Sequence, residues 1–345
     1  MKAIVKYEDK PGAVKVMDRP KPAVGPNDVL IGIKATGLCY TDMSIVKGEY
    51  KGRKPVPIPV ILGHEGSGVV AETGRDVKGF KAKDRVAFEA LNGCGRCINC
   101  RNGFKNMCTD WSHVGITCDG TFAEYLSVPE TIVHKLPDAV SFADAAVLEP
   151  LSLVVRSLEH VQPVLGDTAV IIGPGSVGLL HLQALKASGV AKAIVIGIEK
   201  DRKRFEIAES LGADRIVYSD KEDPVKAVLD ATGGLGADIV IETANHPVVW
   251  DYILDIVAAK GRISTFGLYP EAKIKPLVLL RKGATIYGDV ALLSKHFMRA
   301  IKWLETKKVS GEKLITKRFA FDQVDEAFKT FYGGETIKVL FEAQP

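Results

Sequence analysis

Thr168-Ala-Val-Ile-Ile-Gly-Pro-Gly-Ser-Val-Gly178 decides the fold. The run up to Gly173 is apolar, rich in β-branched residues and free of charge, as a parallel strand covered on both faces is. Gly173, Gly175 and Gly178 then spell G-x-G-x-x-G, and a helical pattern extends to about Ser188. Glycines cluster in many ordinary turns. The strand before this one and the helix after it supply the context that a dinucleotide turn requires. Such a turn lets a pyrophosphate come close to a helix N-terminus. The following strand-like run, Ala193–Gly197, leads to Glu199, 21 residues beyond Gly178. A carboxylate there accepts hydrogen bonds from the adenosine ribose hydroxyls and repels a 2′-phosphate. The reading favours NAD over NADP, with Lys200, Arg202 and Arg204 as the basic set that NADP would need.

The same alternation continues outward. Arg215–Val217, Asp238–Glu242, Arg262–Phe266 and Ala284–Gly288 read as strands. Helices are expected at Pro224–Ala231 and from about His246 to Ala259. Strands alternating with helices predict a doubly wound parallel sheet over residues 151–292. Residues 1–150 have another texture: short alternating runs such as Val29–Ala35, Gly66–Ala71 and Asp84–Phe88, broken by Gly and Pro. This predicts an all-β, barrel-like domain. From 293 to 345 the regular alternation stops. A helix is expected at Lys295–Lys307 and a strand at Lys338–Glu342, and the segment is expected to return to the first domain.

With 345 residues, the chain has room for two ordinary domains. Its 46 basic and 42 acidic side chains leave a net charge of +4, too balanced for a nucleic-acid partner. No stretch reads as a signal peptide or a membrane span, so no membrane partner is expected, and six cysteines with at least four kept as thiolates point to a reducing cytoplasm.

Four of the six cysteines, Cys94, Cys97, Cys100 and Cys108, form C-x2-C-x2-C-x7-C. A disulfide knot is a poor reading in a chain this large with no secretory leader. Four clustered thiolates suit a closed tetrahedral zinc site, and an iron–sulfur cluster uses the same donors. A closed four-thiolate shell has no open position for substrate, so zinc here is structural. A second constellation is more dispersed. Cys39, His64 in Gly63-His-Glu65, and Glu149 each have a bland reading alone. Together they are the mixed donor set used by catalytic zinc with an exchangeable water. Cys118 is left over as an unligated residue.

These motifs together resemble the zinc-dependent medium-chain dehydrogenase/reductase superfamily. Gly37-Leu-Cys-Tyr-Thr-Asp42, Gly63-His-Glu-Gly-Ser-Gly68, the four-cysteine lobe at about 89–110, Leu148-Glu-Pro-Leu-Ser152 and the Gly173–Gly178 turn with Glu199 carry the likeness across the whole chain. Glu149-Pro-Leu-Ser152 is similar to the polyol (sorbitol) and threonine dehydrogenase branch. The resemblance implies a two-domain α/β protein: a GroES-like β-barrel catalytic domain plus a Rossmann domain. It implies two zinc ions per chain, one structural at the four cysteines and one catalytic at Cys39, His64, Glu65 and Glu149, with the two carboxylates competing. Thr41 matches the hydroxyl that takes the substrate proton, and Val177 the residue beneath the nicotinamide ring. Gly173, Gly175, Gly178, Glu199 and Arg204 complete the implied cofactor set.

The activity implied is hydride transfer from a secondary alcohol of a polyol or a polyhydroxy or hydroxy-amino compound to NAD+, giving a ketone. A lactone-forming aldose dehydrogenase and a non-catalytic crystallin-like protein are the alternatives. A homodimer or homotetramer is implied. The chain departs from the family in three places. Ser44 stands where several relatives carry a proton-relaying histidine. Gly288–Ser294 lacks the arginine of sorbitol dehydrogenases. Glu89–Gly93 lacks the histidine of threonine dehydrogenases.

Overall fold

The computed structural model describes residues 1–342. The chain divides into two compact units: Met1–Leu153 with the segment from Val290 onward, and Val154–Asp289. The last three positions of the 293–345 segment lie outside the described residues.

The second unit is built on six parallel strands: β1 (Thr168–Ile172), β2 (Lys192–Gly197), β3 (Arg215–Tyr218), β4 (Ala237–Glu242), β5 (Val257–Thr265) and β6 (Thr285–Gly288). They lie in the order β3-β2-β1-β4-β5-β6. Helices Ser176–Ala187, Arg202–Ser210 and Pro224–Ala231 fill the crossovers. The chain order reverses between β1 and β4, so the crevice for a ligand opens at their carboxyl ends. Val170, Ile172, Ile194, Ile196 and Val240 are buried in this sheet. Each such side chain contributes about 1.5–3 kcal/mol by leaving water.

One expected element differs. The helix expected from about His246 to Ala259 is a 3₁₀ turn at Pro247–Asp251 and one α-turn at Ile253–Ile256. β5 then begins at Val257. Ala237 pairs with Val257 and Ile239 with Arg262, so an irregularity in β5 takes up residues assigned to the helix. The apolar run Val248 to Ile256 has the composition of either structure, and the pairing with β4 decides.

In the first unit, Asp28–Leu38 is the central strand. Glu65–Thr73 pairs with one edge, while Tyr125–Pro129 and Lys338–Glu342 share the other. Arg85–Phe88, Val133–Lys135 and Ile315–Phe319 extend the sheet to seven strands. A separate sheet joins Val14–Asp18, Lys2–Lys6 and Val60–Ile61. The late strand Lys338–Glu342 therefore lies in register against Ala35–Leu38, just before Cys39. Among the described residues, no helix is long and apolar enough to cross a membrane.

Candidate metal and cofactor sites

Cys39 ends the central strand and is the N-cap of the helix Tyr40–Lys47. His64 and Glu65 open the neighbouring strand, where Glu65 pairs with Gly37. One donor atom each from Cys39, His64 and Glu65 lies within 4.8 Å of the others. Asp42, fully buried, holds this arrangement. Its Oδ2 accepts from the Cys39 backbone N–H at 2.9 Å, and its Oδ1 from the Gly63 N–H at 3.0 Å. The same Oδ1 stands 3.4 Å from His64 Nδ1, which leaves Nε2 for a metal. Burial works against a positive charge on His64. The Asp42 and Cys39 charges outweigh it and hold its pKa well above the usual imidazole range. The pocket thus favours a cation, which fits a zinc-binding donor set.

Lys338 belongs to none of the sequence motifs. It is almost wholly buried, forms an ion pair with Glu65 Oε2, and donates to the Leu38 carbonyl at 3.3 Å. Burial disfavours its charge, yet Glu65, then Cys39 and Glu149, raise its pKa above the ordinary lysine value. Glu149 stands outside the three-residue set, in the first turn of the helix Leu148–Val161, with its charge acting on Lys338. Thr41 is half-buried, and its hydroxyl has no protein partner among the described residues. Ser44 donates its hydroxyl to the Thr41 carbonyl at 2.8 Å.

Cys94, Cys97, Cys100 and Cys108 also bring their sulfurs within 4.8 Å of one another. Backbone N–H groups point at three of them: Cys97 at Cys94, Cys100 at Cys97, and both Cys94 and Asp110 at Cys108. The Cys100 N–H leads in pulling the Cys97 thiol down to about 6. Burial and its neighbours push Cys100 up to about 12. Four thiols so close ionise together only around a cation. Leu91 and Trp111 pack around the cluster. Cys118 is exposed and belongs to neither set.

In the second unit, Gly173 adopts φ +98°, and a Cβ there would meet the Ala244 backbone at 2.8 Å. A Cβ on Gly178 would lie 2.1 Å from the Gly173 carbonyl oxygen. Gly175 opens the helix with free space around it. Tight turn, open approach and close helix packing are the three roles of a dinucleotide-binding turn. Thr243 clamps it by donating to the Ile172 and Gly173 carbonyls. Val177 accepts a hydrogen bond from His181 Nδ1 through its carbonyl at 2.8 Å. Glu199 follows β2, with its carboxylate paired to Lys221 at 2.5 Å. Arg204 pairs with Asp201 at 3.2 Å.

Two family models match the chain: an alcohol dehydrogenase GroES-like domain over residues 25–138 and a zinc-binding dehydrogenase over residues 176–306. A sorbitol dehydrogenase of Halalkalibacterium halodurans is 33% identical over 99% of this chain and 98% of its own length. An L-threonine 3-dehydrogenase of Pyrococcus abyssi is 35% identical with the same coverage of both chains. The chain belongs to the zinc-binding medium-chain dehydrogenase/reductase superfamily. An alcohol dehydrogenase of Escherichia coli CFT073, solved in complex with NADH, superposes with a TM-score of 0.90 at 29% identity, covering 99% of each chain.

As a medium-chain dehydrogenase, the chain combines a GroES-like N-terminal domain with a Rossmann-like parallel sheet. Its fold is that of a zinc-binding, NAD-dependent dehydrogenase, and it is an oxidoreductase. Lys338 had no sequence signal because the residue it neutralises belongs to a strand far earlier in the chain. The His113 ring packs edge-on against His64, with centroids 5.6 Å apart, a contact that residues so far apart in the chain do not announce.

Proposed function

We propose that this dehydrogenase oxidises a secondary alcohol carrying a neighbouring hydroxyl or amino group, with NAD+ as oxidant, to a ketone. The substrate class is a polyol or a hydroxy-amino compound, in keeping with the sorbitol and threonine dehydrogenases among its relatives. The observation that carries the reading is the Cys39–His64–Glu65 donor set beside a free Thr41 hydroxyl. We take this set to hold a catalytic zinc, with Glu149 as the exchanging carboxylate, and the four-cysteine set to hold a structural one. The reading also includes a homodimer or homotetramer in a reducing cytoplasm.

When bound, zinc supplies Lewis acidity that acidifies the substrate hydroxyl, and NAD+ accepts the carbinol hydrogen as hydride. The chain's own residues do the rest. Asp42 keeps Cys39 and His64 in register, and Lys338 offsets the carboxylate charge. Thr41 Oγ1 accepts the proton leaving the substrate oxygen and hands it on. Ser44 donates its hydroxyl to the Thr41 carbonyl and so stands beside Thr41 without taking its proton. The balance is alcohol plus NAD+ to ketone, NADH and a proton.

The test is a panel of butane-2,3-diol, sorbitol, L-threonine, glucose and butan-2-ol, read by NADH formation alongside zinc analysis. The reading expects turnover of a diol, polyol or hydroxy-amino compound and two zinc ions per chain. Removing the more labile ion should abolish turnover. Lactone formation from glucose alone, or turnover unchanged by chelation, would sink it. Glu199→Ala should raise KM for NAD+ roughly tenfold by losing charged hydrogen bonds to ribose. It should lower KM for NADP+ by removing a like charge. Parallel changes for both cofactors would show that Glu199 does not read the ribose.

A further inference from the structure

We propose that Lys221 sets the cofactor preference at the ribose end of the site: its ammonium offsets the Glu199 carboxylate and becomes the partner of a 2′-phosphate when that carboxylate is removed. This rests on Glu199 accepting hydrogen bonds from the adenosine ribose. β2 and β3 run side by side, with Gly197 paired to Tyr218. The Ser219 N–H and hydroxyl both donate to the Gly197 carbonyl, at 2.8 and 3.0 Å. The residues that follow β3 are therefore fastened next to those that follow β2. The Glu199 N–H donates to both oxygens of Asp220, at 3.1 and 3.0 Å. One residue on, Lys221 Nζ stands 2.5 Å from Glu199 Oε2.

A lysine on a surface turn has many rotamers open to it, and this one has a second support. Its Nζ lies 5.2 Å from the centre of the Tyr218 ring, whose face attracts a cation. Tyr218 in turn packs edge-to-face on the buried Phe205, with ring centroids 4.8 Å apart. The ring is anchored in the core, so it holds the ammonium whether or not Glu199 is present. Arg204 is placed differently. It pairs with one oxygen of Asp201, whose other oxygen accepts from the Ile198 N–H at 3.2 Å. A ribose hydroxyl that donates to Glu199 shares that carboxylate with Lys221. A phosphate in place of the 2′-hydroxyl would meet both charges together, repelled by one and attracted by the other. Ammonium–phosphate hydrogen bonds are among the strong ones. Glu199 thus excludes NADP+, and Lys221 stands ready to accept it. The bridge itself is exposed and adds little to stability, so removing it reads on the cofactor and not on the fold.

Titration of the zinc-loaded enzyme with NADH and with NADPH, followed by nicotinamide fluorescence with no alcohol present, tests this. Glu199→Ala should tighten NADPH about tenfold. Glu199→Ala/Lys221→Met should lose most of that gain, and Glu199→Ala/Lys221→Arg should keep it. In the wild-type background, Lys221→Met should weaken NADPH several-fold more than NADH. A bridge with only a structural role would weaken both cofactors alike. Retention of the full gain in Glu199→Ala/Lys221→Met, or equal changes for NADH and NADPH in Lys221→Met, would overturn the proposal. If Glu199→Ala alters the binding of neither cofactor, the ribose reading of Glu199 falls and the proposal falls with it; if Glu199→Ala tightens NADPH and Lys221→Met does not matter, only the role of Lys221 is lost.

Discussion

Cys39→Ser leaves a folded protein that no longer turns over, whereas Cys100→Ser yields one that melts early or fails to accumulate. Both replace a thiolate in a cluster of donors within 4.8 Å, so chemistry alone does not separate them. Their surroundings do. Cys39 caps a helix whose backbone is held by Asp42 and whose next turn is packed by Met43, Ile45 and Val46. That packing survives a serine. The rate should fall roughly a thousandfold or more, because Lewis-acid stabilisation of several kcal/mol goes with the ligand. Around Cys100 there is little else to hold. The helix Ile98–Arg101 has no buried residue, and the lobe is organised by sulfur and by Trp111 and Leu91. In such a lobe, metal-binding energy is folding energy. Thermal melts with and without chelator, beside NADH formation, distinguish the two. Equal destabilisation by both substitutions would mean that the division of roles is wrong.

Lys338→Met destabilises the fold by about 3–5 kcal/mol, the cost of leaving a buried charge without its partner. Glu65 and Lys338 are each nearly inaccessible to water. Methionine matches the length of the lysine stem but leaves the Glu65 carboxylate facing Cys39 and Glu149 uncompensated. Urea unfolding of the zinc-free proteins measures the loss. The double variant Lys338→Met/Glu65→Gln should recover a large part of it, which closes a double-mutant cycle. A single-variant loss below about 1 kcal/mol would place the pair with solvated surface bridges.

Legibility in the sequence followed distance along the chain. Gly173–Gly178 could be read because strand, turn and helix are contiguous, and the four cysteines because their spacing is short. Cys39 and His64 could be paired because each lies in its own compact motif. Lys338 could not be read, because an isolated lysine in an alternating strand looks like a solvent-facing residue until the strand's neighbours are known. In the sequence Asp42 is only the last residue of the Gly37–Asp42 motif. That it fastens the Cys39 and Gly63 backbones and stands behind His64 depends on two strands meeting. The expected helix over His246–Ala259 failed for the same reason: pairing with β4 outweighs local propensity.

The burial of Lys338 bears on the order in which the enzyme becomes complete. Lys338 bonds the carbonyl of Leu38, 300 residues earlier. A ribosome adding roughly 5–20 residues per second needs about 15–60 s to cross that interval. Glu65 precedes Lys338 by 273 residues, so for most of that time Cys39, His64 and Glu65 are already made, while the cation that pairs with Glu65 is not. A chain that folded around these three residues before then would bury the Glu65 carboxylate without its partner. The surroundings of Glu65 are complete only when a nearly finished chain supplies the strand Lys338–Glu342.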